Sequence, residues 1–196
     1  MENFLYFPSA VYREEKPSWL SALKQIVDGY YANMERKKDF QVHQTRNMVG
    51  EETLSFFKQY LSSVAFHILQ AQGYSVENYS FYVSHIWGHL INPCGFHGAH
   101  LHRESSLCGF YFLETPVHGA YPVFEDPRPA KLALDLDSSV TEEEVTLATP
   151  SIHFNNIKPG TVLISNSWLP HRLEPNSGEE STKFIHFTIS QIRRDT

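Results

Sequence analysis

Apolar residues in the N-terminal part of the chain recur at the three- and four-residue spacing of amphipathic helices. Leu20, Leu23, Val27, Tyr30 and Met34 share one face, and Pro17 and Ser18 can start that helix. A second stripe, Leu54, Phe57, Leu61, Val64 and Ile68, follows Gly50; Glu51 and Glu52 occupy its first turn and Gly73 can stop it. From about residue 80 the pattern changes to short runs of β-branched and aromatic residues separated by Pro, Gly and Asn. These runs are Phe81 to Ile91, Leu107 to Leu113, Tyr121 to Glu125, Ser151 to Asn155, Thr161 to Ser165, His171 to Glu174 and Lys183 to Ile189. Two helices followed by strands with no helix between them predict a mainly β, α+β fold. A helical layer (1–79) would pack on an antiparallel, two-sheet core of jelly-roll type (80–190), all within one domain spanning 1–196. The segment Lys131 to Thr149, with Asp135, Asp137 and Glu142 to Glu144, has the charge of an exposed excursion between strands.

The length of 196 residues suits one domain with a sizeable core. No stretch approaches the roughly 20 apolar residues that cross a bilayer, and the opening residues lack the basic flank and apolar run of a signal peptide. The expectation is a soluble, cytoplasmic protein. A formal net charge of -6 argues against non-specific binding to nucleic acid or anionic membrane, which needs clustered cations. The basic runs Arg36 to Lys38 and Arg193-Arg194 read as solvated ends of elements. Cys94 and Cys108 have no metal-finger spacing and read as reduced thiols, Cys108 inside an apolar strand.

Eleven histidines are many for this length, so their positions matter. His100 and His102 are two apart, and on an extended backbone their side chains leave the same face, where two imidazoles can share a metal. Gly95 and Gly98 before them suggest an irregular approach to a strand at the mouth of a barrel. Alone, such a pair arises often by chance. Further on, Pro159-Gly160 feeds a strand that runs through Trp168-Leu-Pro to His171, the first residue of the next strand. Three histidines on two strands form a facial ligand set with the opposite face open to exogenous ligands.

Four motifs in order, His100-Leu-His102, Ser106-Leu-Cys-Gly-Phe-Tyr-Phe112, Asp126-Pro-Arg128 and Trp168-Leu-Pro-His171, make the segment from roughly Trp87 to Ser190 resemble the double-stranded β-helix core of Fe(II)/2-oxoglutarate oxygenases. Within that superfamily the resemblance is to a sparsely characterised bacterial and phage branch. It implies that His100, His102 and His171 hold Fe(II). It implies further that 2-oxoglutarate and dioxygen fill the remaining positions, and that oxidative decarboxylation to succinate and carbon dioxide drives oxidation of a C–H bond in a bound substrate. The co-substrate's far carboxylate needs a cation some ten residues beyond the distal histidine, which nominates Lys183, with the Tyr111 hydroxyl as a second donor. Lys183 reads equally well as a surface lysine capping a strand, and Tyr111 as core.

Most of the superfamily has Asp or Glu where this chain has His102, and an all-histidine set also suits zinc, copper or nickel. Glu104, in phase with His100, and Asp126, in a proline-flanked turn, are the available carboxylates. A cupin-like three-histidine metalloprotein that does not use 2-oxoglutarate is the competing reading, and Lys183 separates the two. Among the other histidines, His89 lines the site or packs beside it, and His85 packs. His97 is out of phase with the pair, and His118 lies in a turn. His186 alternates with Ile185 and Phe187, so His186 faces the pocket only if Lys183 does not. His43 and Arg46 border a cleft or pack, and the loops 36–50 and 131–149 would select the substrate.

Overall fold

In the computed structural model, residues 2, 8–34, 41–128, 145–154 and 156–194 are described. Most of the 131–149 excursion, the Arg36 to Lys38 run and Asn155 lie outside them. The helical stripes fold as expected: α1 covers Leu20–Ala32, entered through a single 3-10 turn at Pro17–Trp19, and α2 covers Ser55–Ala71. The strands are β1 (Val11–Glu15), β2 (Val42–Gln44), β3 (Tyr79–Ile91), β4 (His97–His100), β5 (Leu107–Glu114), β6 (Pro122–Glu125), β7 (Ser151–His153), β8 (Thr161–Asn166), β9 (His171–Leu173) and β10 (Thr182–Arg193).

All pairings are antiparallel and build a six-stranded sheet, β1-β8-β5-β10-β3-β2, and a four-stranded sheet, β4-β9-β6-β7. This is the jelly-roll, or double-stranded β-helix, arrangement that the run of strands predicts. The segment before residue 79 is more than a helical layer. β1, with the polar sequence VYREE, pairs along the edge strand β8, and β2 pairs with β3 at the opposite edge. Edge strands are commonly short and charged, which hides them from a search for apolar runs.

The period of two along the central strands separates two cores. On the outer face of the large sheet, Ile185, Phe187 and Ile189 of β10 and Tyr111 of β5 pack beneath Leu23 and Val27 of α1 and Phe57 and Leu61 of α2. On the inner face, Phe184 of β10 and Phe110 and Phe112 of β5 meet Phe124 and Leu173 of the small sheet. Gly109 allows the outer packing, because a Cβ there would lie 2.2 Å from the Leu163 carbonyl oxygen and 2.7 Å from the Phe187 ring. Gly160, with φ +89°, closes the Pro-Gly turn into β8, a backbone conformation that glycine adopts freely. Among the described residues no helix is long and apolar enough to cross a membrane.

Candidate metal centre

Between the two sheets, a cavity of about 170 Å³ is lined by His89, His97, His100, His102, His171 and His186, with Gln44 and the apolar Trp87, Phe110, Leu173 and Phe184. It holds six of the chain's eleven histidines and, among the described residues, no lysine, arginine or carboxylate in its lining.

The imidazoles arrive on β3 (His89), β4 (His97 and His100), the residues just after β4 (His102), β9 (His171) and β10 (His186). β4 pairs with β9 so that His100 stands directly opposite His171, with the ring centroids 4.5 Å apart. His102 follows the end of β4, where its backbone N–H donates to the Ser167 carbonyl at 2.9 Å and ties it to the turn before His171. Its ring lies 5.0 Å from that of His100 and 5.4 Å from that of His171. A register irregularity between His97 and His100 swings His97 into the same cavity, 4.5 Å from His100. Simple alternation puts His97 out of phase with the pair; the irregularity is why the structure differs.

The hydrogen bonds leave metal-binding atoms free. His171 Nδ1 lies 3.0 Å from the Leu169 carbonyl, which fixes the proton on Nδ1 and turns the bare Nε2 into the cavity. His100 Nδ1 has the same relation to the Gly98 carbonyl, at 2.9 Å. Nε2 of His102, His171 and His186 and Nδ1 of His89 are buried without a hydrogen-bond partner. Buried polar atoms are normally paired, so such orphans clustered in one cavity ask for a partner the protein does not supply. The ligating atoms of His102, His171 and His186 and the Cys108 sulfur all lie within 4.8 Å of one another.

Electrostatics keep the cluster ready for a cation. Burial, reinforced by the neighbouring imidazoles, lowers His102 and His171 to about 4 and His89 to about 3, and it holds His186 well below its usual value. At neutral pH these rings are therefore neutral, the form that binds metals. Burial pushes the Cys108 thiol up to about 12, and it contacts Ser165 Oγ at 3.7 Å, so Cys108 packs under the cluster as a neutral thiol.

Lys183 and Tyr111 do not reach the cavity, and this corrects the expectation for both. The Lys183 ammonium is on the helix side of β10, 2.8 Å from Asp28 Oδ1 and 3.1 Å from Glu114 Oε1. Tyr111 is fully buried below α2, edge-on to Phe57, and its hydroxyl donates to the Lys16 carbonyl at 2.8 Å. The reason is strand parity. Ile185, Phe187 and Ile189 belong under the helices, so the odd-numbered Lys183 goes with them and the even-numbered Phe184 and His186 face the cavity. Neither His186 nor His89 belongs to a motif. Their signal was the alternation itself, once the apolar residues of β10 and β3 set the phase.

Neither Glu104 nor Asp126 lines the cavity. Asp126 takes a structural role in its turn, accepting from the backbone N–H of Arg128 at 3.0 Å and from its guanidinium at 2.7 Å. His85 packs against Trp87 with its Nδ1 3.1 Å from Thr188 Oγ1, and His118 occupies its turn with φ 59°.

A model of a 2OG-Fe(II) oxygenase family matches residues 85–187, more than half of the chain. No curated protein matches in sequence. Similar solved structures include a Pseudomonas putida prolyl-4-hydroxylase, at 13% identity and TM-score 0.59, with 96% of this chain and 94% of that chain covered. The α-ketoglutarate-dependent carbocyclase SnoK of nogalamycin biosynthesis aligns at 11% identity and TM-score 0.66, covering 95% and 82%. HygX from Streptomyces hygroscopicus, solved with nickel and 2-oxoglutarate, aligns at 8% identity and TM-score 0.54, covering 93% and 83%. At these identities the solved structures establish the fold, and the family model establishes the kinship.

Proposed function

Since the chain belongs to the 2OG-Fe(II) oxygenases, enzymes that use Fe(II) and 2-oxoglutarate, we propose that it is a hydroxylase whose iron lies in the imidazole cluster between the sheets. His102 and His171 are two of the ligands, with a third imidazole from the same cluster. The sequence motif nominates His100 for that third place. The observation that carries the proposal is the group of buried, unpartnered imidazole nitrogens, a donor set that suits a borderline divalent metal. Bound iron supplies the redox chemistry that couples oxidative decarboxylation of 2-oxoglutarate to oxidation of a substrate C–H bond.

The chain's own contribution is placement and exclusion of water. The Leu169 carbonyl holds the proton on His171 Nδ1, so its Nε2 stays available. Trp87, Phe110 and Phe184 wall the cavity with aromatic rings, which keeps water from the reacting groups. The far carboxylate of 2-oxoglutarate is met by an imidazole in this chain and not by Lys183. His89, whose Nδ1 is orphaned and whose ring stacks on Phe184 at 5.0 Å, is the group we assign to it, as a neutral N–H donor. The more exposed edge, at His97 and His100, admits the substrate.

The test is release of succinate from 2-oxoglutarate under oxygen by the iron-loaded protein. Turnover is expected in wild type, is lost in His171→Ala and persists in Lys183→Met. Iron-loaded wild type that releases no succinate would overturn the proposal.

A further inference from the structure

The imidazole that completes the metal site need not be the one the motif supplies. His186 is contributed by β10, in the sheet opposite His100 and His171, and is 5% exposed. Its ring lies 4.8 Å from that of His102 and 6.3 Å from that of His171. Trp87 at 5.8 Å and Phe110 at 5.1 Å enclose the rest of it. Its Nε2 is orphaned in this setting, and leaving a buried polar atom unpaired costs stability unless something binds it. Only a species inside the cavity can do so.

We infer that His186 is a metal ligand, and that it completes with His102 and His171 a set of three imidazoles drawn from both sheets. Three observations support this. The Nε2 atoms of these three residues are all buried and all unpartnered. Their ligating atoms lie within 4.8 Å of one another, in a group that also holds the Cys108 sulfur, which burial keeps as a neutral thiol, and that does not include His100. Parity along β10 makes the placement structural, because turning His186 out of the cavity would turn Ile185 and Phe187 out from beneath the helices. His100, only partly buried and anchored through the Gly98 carbonyl, then stands at the open edge beside the metal, where co-substrate and substrate approach. A set drawn from the two facing sheets also clamps them together, so metal binding links the β10 side of the sandwich to the β9 side.

This inference rests on the proposed metal centre for the presence of a metal, and it changes the identity of the third ligand. The test needs neither turnover nor 2-oxoglutarate. Metal-free protein is titrated with Co(II) without oxygen, comparing wild type with His186→Ala, His186→Gln, His100→Ala and His102→Ala. Loss of His186 is expected to weaken Co(II) binding at least about tenfold, with a smaller effect for His100→Ala. Should the His186 variants fold poorly, wild-type protein labelled with 15N-histidine and loaded with diamagnetic Zn(II) gives the same answer. The Nε2 resonances of His102, His171 and His186 should all move to metal-bound positions. Movement of His102 and His171 with His186 unmoved, or unchanged Co(II) affinity in folded His186→Gln, would overturn the inference and leave the metal centre standing. If Co(II) affinity is also unchanged in His102→Ala, the metal centre itself fails, and this inference with it.

Discussion

On the helix side of β10, Ile185, Phe187 and Ile189 are fully buried among the apolar residues of α1 and α2. One residue away on the cavity side, His186 is nearly as buried, but its ring neighbours are the imidazoles of His89, His102 and His171 and the rings of Trp87 and Phe110. Burial is the same on both faces and its consequence is opposite. Apolar side chains gain from close packing and leave nothing unsatisfied. Buried imidazole nitrogens lose water's hydrogen bonds, and those that find no protein partner recover them only from a ligand. The first face stabilises the fold, and the second gives up stability for the metal proposed to bind there.

The sharpest way to separate the faces is to damage each alone. Phe187→Ala removes a large side chain that Phe57 contacts edge-on at 5.7 Å, and should cost about 3–5 kcal/mol in denaturant unfolding. The folded fraction should bind Co(II) as wild type does. His171→Ala should reverse that result. Metal affinity is expected to fall roughly hundredfold, about 2.7 kcal/mol, while unfolding of the metal-free protein changes much less than in Phe187→Ala.

Acid should act through the cavity face. His89 and His171 have folded pKa values depressed to about 3 and about 4, below the usual value near 6.5 that they regain on unfolding. Between those limits the unfolded chain binds more protons, so stability is fully present above about pH 6.5 and is lost as pH falls toward 4. Each of the two groups contributes a slope of up to about 1.4 kcal/mol per pH unit. Thermal unfolding from pH 7 to pH 4.5 measures this, and bound metal should shift the loss to lower pH because it competes with the protons.

The smallest effect belongs to the residue that the sequence nominated for the carboxylate. Lys183→Met breaks ion pairs with Asp28 and Glu114, whose side chains are partly exposed, so about 1 kcal/mol of stability is at stake. Its affinity for 2-oxoglutarate should equal that of wild type in calorimetry.

How far the sequence predicts the molecule depends on what each signal is made of. Helical stripes and long apolar strands are local patterns, and α1, α2, β3, β5 and β10 follow from them closely. β1 and β2 have short or charged sequences whose strand character comes from their neighbours β8 and β3, so no local pattern reveals them. The His100 to His102 spacing and the distant His171 are legible because a family motif marks them, although β4 ends at His100 and His102 lies just beyond it. Counting residues from His171 nominates Lys183, whereas its parity with Ile185, Phe187 and Ile189 puts its side chain on the helix side of β10. His97 depended on a strand irregularity, which spacing alone does not encode.

The imidazole cavity is the proposed iron and 2-oxoglutarate site of this enzyme. The most direct measurement is the visible absorption of the Fe(II)-loaded protein, kept free of oxygen, as 2-oxoglutarate is added. A metal-to-ligand charge-transfer band should grow with 2-oxoglutarate in wild type and in Lys183→Met, and be absent in His171→Ala. Stoichiometric iron in wild type with no band at saturating 2-oxoglutarate would contradict the account, and would return the cavity to a cupin-like metal site that does not use the co-substrate.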